Sequence, residues 1–196
     1  MSKGFKALIL TADKFEDMEL FFPYFRLLEE GLEVDIAAPK KGRIEGEHGY
    51  EMEVKKTFDD VHSDDYDLLL IPGGSPDGAP SVVRKDIKAQ AIAKSFINSN
   101  KPVSSICHGP WLLASSGVVN GRRLTSYWHD GVPEDLKKAG AIYEDKEVVV
   151  DGNLVTSRYP RDLPAFMRET IRMVNRIKKW SMDKSGTEFP FLGLGN

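Results

Sequence analysis

The stretch that decides the fold and the site is Lys101-Pro-Val-Ser-Ser-Ile-Cys-His-Gly-Pro-Trp111. Its apolar, β-branched segment 103–106 is typical of a short buried strand, and residues 111–116 favour a helix that stops at Gly117. Cys107, the only cysteine in 196 residues, therefore falls on the turn between strand and helix. Such a turn presents a side chain at the carboxyl end of a strand and directs free backbone N–H groups towards it.

Cys107 has two interpretations. A lone cysteine is most often a small buried apolar residue. The strand-to-helix turn and the adjacent His108 favour a nucleophile instead, because Gly109 permits a sharp bend and Pro110 suits the first helical turn. If Cys107 is a nucleophile, we expect the helix N-terminus to lower the thiol pKa, so that the side chain is largely thiolate at neutral pH.

Length and composition favour one α/β domain over residues 1–180, followed by a C-terminal tail of different composition over 181–196. One cysteine cannot form an internal disulfide, and no apolar signal segment opens the sequence, so we expect a cytoplasmic protein. The net charge of −3 is spread along the chain. This pattern predicts neither a nucleic-acid partner nor a membrane partner. No repeated ligand spacing indicates a metal, and we expect no cofactor.

Strand and helix patterns alternate along the chain, which predicts a parallel sheet covered by helices on both faces. A small hairpin from Arg43 to Val54 is expected outside this sheet. A second hairpin, Val148 to Thr156, turns at Asp151-Gly152. A closing helix is expected from Asp162 to about Trp180. The strands expected in the sheet are those at 5–10, 34–38, 67–71 and 103–106.

Chemically useful residues follow three of these strands. Glu16 comes after the first, Gly73-Gly74 after the third, and Cys107-His108 after the fourth. Because ligands of parallel sheets bind beyond the carboxyl ends of the strands, we expect these residues to converge. The glycine pair is either a backbone oxyanion site or an ordinary tight turn.

Several motifs together resemble one known family. They are Phe15-Glu-Asp-Met-Glu-Leu20, Pro72-Gly-Gly74, Ile106-Cys-His-Gly-Pro110, Thr125-Ser-Tyr127 and Val148-Val-Val-Asp-Gly-Asn153. From Phe5 to Lys179 the chain resembles the PfpI-like intracellular peptidases, within the superfamily of protein deglycases and class I glutamine amidotransferase-like folds. The resemblance implies a flavodoxin-like α/β fold and assembly into dimers or rings of dimers.

The resemblance also implies roles for individual residues. Cys107 would be the nucleophile, His108 its partner, and Glu16 a protonated carboxyl held against the thiol. Backbone N–H groups of Gly74 and His108 would hold an oxyanion. The candidates for binding substrate or oxyanion are Gly73, Gly74, Gly109 and Tyr127.

The acid that orients His108 is less well defined by sequence. Where PfpI-like peptidases offer a glutamate to the neighbouring subunit's histidine, the only acid in loop 75–81 is Asp77. It either reaches His108 across a subunit interface or caps the following turn. Since His108 directly follows Cys107, we expect its ring to point away from the thiol rather than to hydrogen-bond with it.

These residues predict a cysteine-dependent hydrolase or lyase that acts on carbonyl or acyl groups. Its substrates would be peptides, glycated amino groups or small carbonyl compounds such as methylglyoxal, and the sequence does not separate them. One alternative is a redox sensor or chaperone in which Cys107 is oxidised without turnover. A pure binding module is a third possibility, and an amidotransferase is disfavoured because no synthetase domain accompanies this one.

Overall fold

A seven-stranded, mostly parallel sheet organises the structure, a computed structural model that describes residues 4–184. Eleven strands occur in this part of the chain. They are β1 (Lys6–Leu10), β2 (Glu33–Ala38), β3 (Gly42–Glu45), β4 (Glu51–Val54), β5 (Lys56–Thr57), β6 (Leu68–Ile71), β7 (Val103–Ile106), β8 (Arg123–Leu124), β9 (Ile142–Tyr143), β10 (Val148–Asp151) and β11 (Leu154–Ser157). The main sheet has the order β10-β11-β7-β6-β1-β2-β5, in which only β10 is antiparallel to its neighbour.

Helices cover both faces of this sheet. The α-helices are α1 (Asp17–Glu29), α2 (Ala79–Lys85), α3 (Ile87–Asn98), α4 (Pro110–Ser115), α5 (Val132–Lys138) and α6 (Leu163–Lys184). Helices α1 and α6 pack together in one group, and α2 to α5 pack together in the other. Every residue of β6 and β7 is buried, as expected for strands covered on both faces.

The parallel pairing brings the carboxyl ends of β1, β6, β7 and β11 to one edge of the sheet. Ile71 pairs with Ser105, and Ser157 pairs with Ile106, so the residues that follow β6 and β11 flank the residue that follows β7. That residue is Cys107. The topology therefore places the cysteine turn between two other strand ends.

Helix α1 begins at Asp17 because Glu16 caps it. The Glu16 side chain accepts a hydrogen bond from the backbone N–H of Glu19 at 2.7 Å. Pro23 lies inside the helix, and its buried ring packs towards the core. Capping at Glu16 sets which helical positions face inwards, and Glu19 becomes fully buried.

The hairpin β3–β4 is fixed to the first turn of α1 by the buried carboxylate of Asp17. One oxygen accepts from the N–H of His48 at 2.9 Å, and the other from the N–H of Tyr50 at 3.0 Å. Gly46 lies so close that a Cβ there would come within 2.5 Å of the carboxylate. The hairpin turn and the helix start therefore form one structural unit.

The predicted fold class is confirmed, including the outer hairpin β3–β4 and the β10–β11 hairpin at the Asp-Gly turn. The sequence pattern missed α2, which begins inside the loop expected between Gly74 and Val82 and continues to Lys85, and it missed the two-residue β9. Helix α6 runs four residues beyond the expected end near Trp180. The division at residue 180 stays a prediction, and 185–196 of the proposed tail lie outside the described residues.

Within residues 4–184, no helix is long and apolar enough to cross a membrane.

Candidate active site

Cys107 occupies a strained turn at the end of β7. Its φ is +62°, in the left-handed region that residues with side chains rarely adopt. Two backbone hydrogen bonds fix it there, from its own N–H to the Ser157 carbonyl at 3.1 Å and from the Tyr127 N–H to its carbonyl at 2.9 Å. Strain of this kind persists only where surrounding contacts over-determine the conformation, and it is typical of functional sites.

Gly109 makes the turn possible through close packing. A Cβ at this position would lie 2.5 Å from the Ile71 carbonyl oxygen and 2.6 Å from Ser105 Oγ. Its N–H donates to the Ile106 carbonyl at 2.8 Å. The Gly109 N–H is thus already paired. It is not free to donate to an oxyanion, which is the role predicted for this residue.

His108 connects the thiol to an acid within the same chain. Its Nδ1 lies 3.2 Å from Cys107 Sγ, and its Nε2 lies 3.0 Å from Asp130 Oδ2. Because an ionised carboxylate only accepts, Nε2 carries the proton and Nδ1 is left to accept from the thiol. This is the arrangement of a nucleophile, a base and an orienting acid.

The His108 ring is also held from both sides by aromatic rings. Its centroid lies 5.1 Å from that of Trp111 and 4.9 Å from that of Tyr127. The imidazole is only 4% exposed, so it has little freedom to turn away from the thiol. Tyr127 is placed against the base, where it can line the path of a substrate.

The Glu19 carboxyl lies on the other side of the thiol. The position that a Cβ on Gly73 would occupy is 2.6 Å from Glu19 Oε2 and 3.0 Å from Cys107 Sγ, so glycine is required between them. Oε2 accepts from the Gly73 N–H at 2.8 Å. Oε1 is buried and has no hydrogen-bond partner among the described residues. The Gly73 N–H serves the carboxyl, which leaves it unable to bind an oxyanion.

Two backbone N–H groups, those of Gly74 and His108, lie near the Cys107 sulfur and favour its ionised form. Gly74 adopts a φ of +144°, and a Cβ there would meet the Lys14 carbonyl oxygen at 2.4 Å. Glycine therefore allows this strand end to approach the thiol. The two donors predicted from sequence are both next to the sulfur.

Burial favours the neutral form of all three side chains. Desolvation raises the pKa of the Glu19 carboxyl well above its usual range, and it lowers the pKa of His108 despite the opposing charge of Asp130. The pKa of the Cys107 thiol is raised by burial first and by the Glu19 charge second, although the N–H groups of His108 and Gly74 oppose this.

We expected the helix N-terminus to lower the pKa of Cys107 and so to produce a thiolate at neutral pH. This expectation is wrong, because the pKa of the thiol is raised. Helix α4 has only six residues, and the Cys107 side chain has little contact with solvent. The field of a short helix does not compensate for the loss of hydration around the sulfur. A neutral thiol beside a neutral imidazole points to deprotonation during attack rather than before it.

Two contacts expected from sequence are corrected by the structure. His108 does hydrogen-bond the thiol, because the positive φ of Cys107 turns the next side chain back towards the sulfur. Glu16 does not lie against the thiol, because it caps α1. Glu19, one helical turn later, takes the position that had been expected for Glu16.

Asp77 does not meet His108 within the chain. Its carboxylate is exposed and lies 3.5 Å from Lys14 Nζ. Both His108 ring nitrogens already have partners, so no ring atom is left for a second acid. A contact from Asp77 to His108 across a subunit interface stays a prediction, and it would have to displace one of the partners that the ring nitrogens already have.

Asp130 is the site residue that sequence reasoning missed. It lies in the loop between β8 and α5, with a φ of +59°, next to Gly131 at +76°. The Asp-Gly pair marks a left-handed turn. The turn was detectable, whereas its proximity to His108 depends on tertiary packing.

The model of the DJ-1/PfpI family matches residues 5–173. A deglycase of Pyrococcus abyssi is 51% identical over 169 residues, and Deglycase PfpI of Pyrococcus furiosus is 50% identical over the same length; each match covers 86% of this chain and 99% of the relative. Protein/nucleic acid deglycase 2 of Escherichia coli is 41% identical over 177 residues, which cover 89% of this chain and 99% of the relative.

Solved structures share the fold. A ThiJ/PfpI domain protein from Brachyspira murdochii has a TM-score of 0.82 at 22% identity, covering 89% of this chain and 99% of its own. Drosophila melanogaster DJ-1beta has a TM-score of 0.78 at 25% identity, covering 93% of this chain and 97% of its own.

The chain belongs to the DJ-1/PfpI family. It is an enzyme of the deglycase/PfpI hydrolase type, with a single buried cysteine in the position of a nucleophile, as the sequence predicted.

We expect Glu19→Gln to lower the pKa of Cys107, because the amide stays neutral at the high pH where the thiol titrates, whereas the Glu19 carboxyl is ionised there and opposes thiol ionisation. Ultraviolet absorbance of the thiolate, followed against pH, measures this directly, since the chain has one cysteine. Wild type should titrate above the ordinary thiol value of about 8.5.

Glu16→Gln is the matched control for this titration, because it makes the same change at the capping position one turn earlier. It should titrate like wild type. A wild-type midpoint well below 8.5, or equal midpoints in wild type and Glu19→Gln, would contradict the arrangement described above.

Proposed function

We propose that the protein is a cofactor-independent deglycase that acts on 2-oxoaldehydes and on their early adducts with amino groups. The observation that carries this proposal is the buried thiol of Cys107, hydrogen-bonded to a base and lying close to a carboxylic acid. Nucleophilic addition to a carbonyl requires a base for the thiol, and conversion of the adduct requires a second group that moves protons.

Burial of the thiol favours small carbonyl groups over extended peptides. Cys107 is 7% exposed, so a reacting carbon must enter a narrow opening. A peptide bond within an extended chain carries backbone on both sides, whereas an aldehyde or an adduct at a side-chain tip presents its carbon at an end. The names of the relatives agree with this choice, since the deglycases are the most similar of those described above.

In the first step, the Cys107 sulfur forms a bond to the aldehyde carbon while its proton passes to His108 Nδ1. The carbonyl electron pair moves onto oxygen, where the N–H groups of Gly74 and His108 are the available donors. The imidazolium returns its proton to that oxygen, which gives a neutral hemithioacetal. Asp130 stabilises the imidazolium and holds its orientation.

In the second step, a proton leaves the former aldehyde carbon and another is added at the neighbouring carbonyl carbon. The hydroxyl proton of the hemithioacetal passes to the neighbouring oxygen, and the product is a thioester. Glu19, neutral and with one unpartnered oxygen, is suited to carry protons between the two carbons. Water then cleaves the thioester, giving a 2-hydroxy acid and the free thiol. The whole sequence consumes one water and needs no external oxidant or reductant.

We place this activity in the cytoplasm, because the single nucleophilic cysteine requires reducing conditions to remain a thiol. The competing redox-sensor function also uses Cys107, but it does not explain why His108 and Asp130 are paired beside the thiol.

Purified wild type should release lactate from methylglyoxal and free N-acetyl-arginine from its freshly made methylglyoxal adducts, with little cleavage of fluorogenic peptides. Cys107→Ala should reduce both activities by about 10³-fold or more, because the nucleophile is gone. Cys107-dependent cleavage of peptides alone would make the protein a peptidase. Thiol oxidation without turnover of any substrate would support the sensor.

Asp130→Asn should lower kcat/KM for methylglyoxal by about 10²-fold or more, because the amide no longer fixes the imidazole tautomer. Activity should fall on the acid side as His108 becomes protonated, at a pH below the ordinary pKa of about 6.5. Since Asp130 raises the pKa of His108, its loss should move this limb to still lower pH. A pH profile of kcat/KM measures both effects.

Asp77→Asn is the control for this experiment, because it makes the same change at an exposed acid that pairs with Lys14. Its rate and profile with methylglyoxal should match wild type. If Asp77→Asn were the impaired variant, the orienting acid would have to come from a neighbouring subunit.

We also propose that copies of the chain associate through an apolar face beside the site. Phe21, Phe22, Phe25 and Tyr50 surround a cavity of about 400 Å³ between α1 and the hairpin, and Phe25 is 60% exposed. Exposed apolar surface of this kind is typical of interfaces, and a two-fold axis would bring the same face of both copies together.

Phe25→Glu should shift the assembly towards the 21.9 kDa monomer in sedimentation experiments. Ile87→Glu, at an exposed apolar residue of α3, should leave the mass unchanged. A wild type that sediments as a monomer, or equal masses for wild type and Phe25→Glu, would rule out this face as the interface.

A further inference from the structure

The turn that joins β3 to β4 stands beside the candidate active site. The Glu47 N–H donates to the Phe15 carbonyl at 2.9 Å, and Phe15 pairs with Gly46 on one side and with Gly74 on the other. Gly74 supplies one of the N–H groups at the sulfur. Only the backbone of Phe15 therefore lies between the hairpin turn and Gly74, whose N–H group is the proposed oxyanion donor.

This turn has a fixed position. The Asp17 carboxylate holds the N–H groups of His48 and Tyr50, the two residues that flank Gly49. Glu47 is exposed, and its side chain takes no part in anchoring the turn. Its carboxylate forms no ion pair with any side chain described for the chain.

A cavity of about 630 Å³ runs between this turn and the segment after Gly74. Four carboxylates and a single ammonium group line it. Its lining residues are Asp13, Lys14, Glu45, Gly46, Glu47, Ser75 and Asp77. The surface between the hairpin turn and the segment after Gly74 is therefore strongly acidic.

The charge of Glu47 reaches the reacting groups themselves. It raises the pKa of Glu19 and also that of His108, in each case as the weakest of several causes, so it lies within electrostatic range of both groups. Asp130 adds a second, half-exposed carboxylate at His108. A substrate that enters meets negative potential from two directions, and low-dielectric walls strengthen such a field.

We propose that Glu47 makes the active site select substrates by charge, accepting cationic and neutral carbonyl compounds and disfavouring anionic ones. The inference rests on the proposed function for its substrates, which would be adducts on arginine or lysine side chains in basic peptide segments. Anionic 2-oxo acids such as glyoxylate would be poor substrates beside methylglyoxal, although both present an aldehyde of similar size.

The test uses alkylation of Cys107, the only cysteine, by two reagents that differ mainly in charge: neutral iodoacetamide and anionic iodoacetate. The measured quantity is the ratio of their rate constants at one pH, relative to the same ratio for a small free thiol. Changes in the thiol pKa act equally on both reagents, so they cancel in this ratio.

For wild type at low salt, iodoacetamide should be preferred on the order of tenfold more than by the free thiol. In Glu47→Gln the preference should fall towards the free-thiol value. Glu53→Gln, the same change at an exposed residue of β4 that lines a different cavity beside Asp35 and Lys55, should behave like wild type. Ionic strength of about 1 M, where the screening length is about 3 Å, should remove most of the wild-type preference.

A wild-type preference equal to that of the free thiol would overturn the inference, and so would identical ratios in Glu47→Gln and Glu53→Gln. The ratio of kcat/KM for methylglyoxal to that for glyoxylate provides a second measurement, expected to decrease in Glu47→Gln. Failure of all Cys107-dependent turnover would overturn the proposed function alone, because the alkylation ratio still decides the charge selection.

Discussion

The backbone conformation of Cys107 is the constraint on which the site depends. A left-handed residue after a buried strand aims its side chain at the sheet edge and turns the following imidazole back onto the sulfur. Two backbone hydrogen bonds, to Ser157 and from Tyr127, hold this conformation in place. Gly109 completes the turn, since any larger residue would collide with the end of β6. Because Ser157 ends β11 and Ile71 ends β6, the strands on either side of β7 hold Cys107 in its strained conformation.

Around this turn, four separate segments contribute one functional group each. The start of α1 brings Glu19, the end of β6 brings Gly74, the turn itself brings His108, and the loop before α5 brings Asp130. Burial then sets their protonation by favouring neutral forms of the acid, the base and the nucleophile. Charges therefore form only when a substrate is bound, because its carbonyl oxygen then takes the negative charge while His108 takes the proton.

The sequence was sufficient for the sheet and for Cys107, because buried strands and strand-to-helix turns have local signatures. It was insufficient for the choice between Glu16 and Glu19. Both belong to one motif and lie three residues apart, and only the exact start of α1 determines which caps the helix and which points inwards. The resemblance implied the thiol contact for Glu16, and the local sequence does not distinguish it from Glu19 three residues later. Asp130 was out of reach for another reason, since its contact with His108 joins residues 22 positions apart through a loop.

The anchoring of the hairpin turn by Asp17 has a consequence for how this enzyme can diverge. Backbone groups on either side of Gly49 carry the anchorage, so the side chain at position 47 can change without loosening the turn. The residue at position 47 can therefore be exchanged while the turn keeps its geometry. A single substitution there can reverse the sign of the charge beside the site. Lineages that share the same thiol, base and acid can in this way acquire different substrate preferences without intermediates that fold poorly.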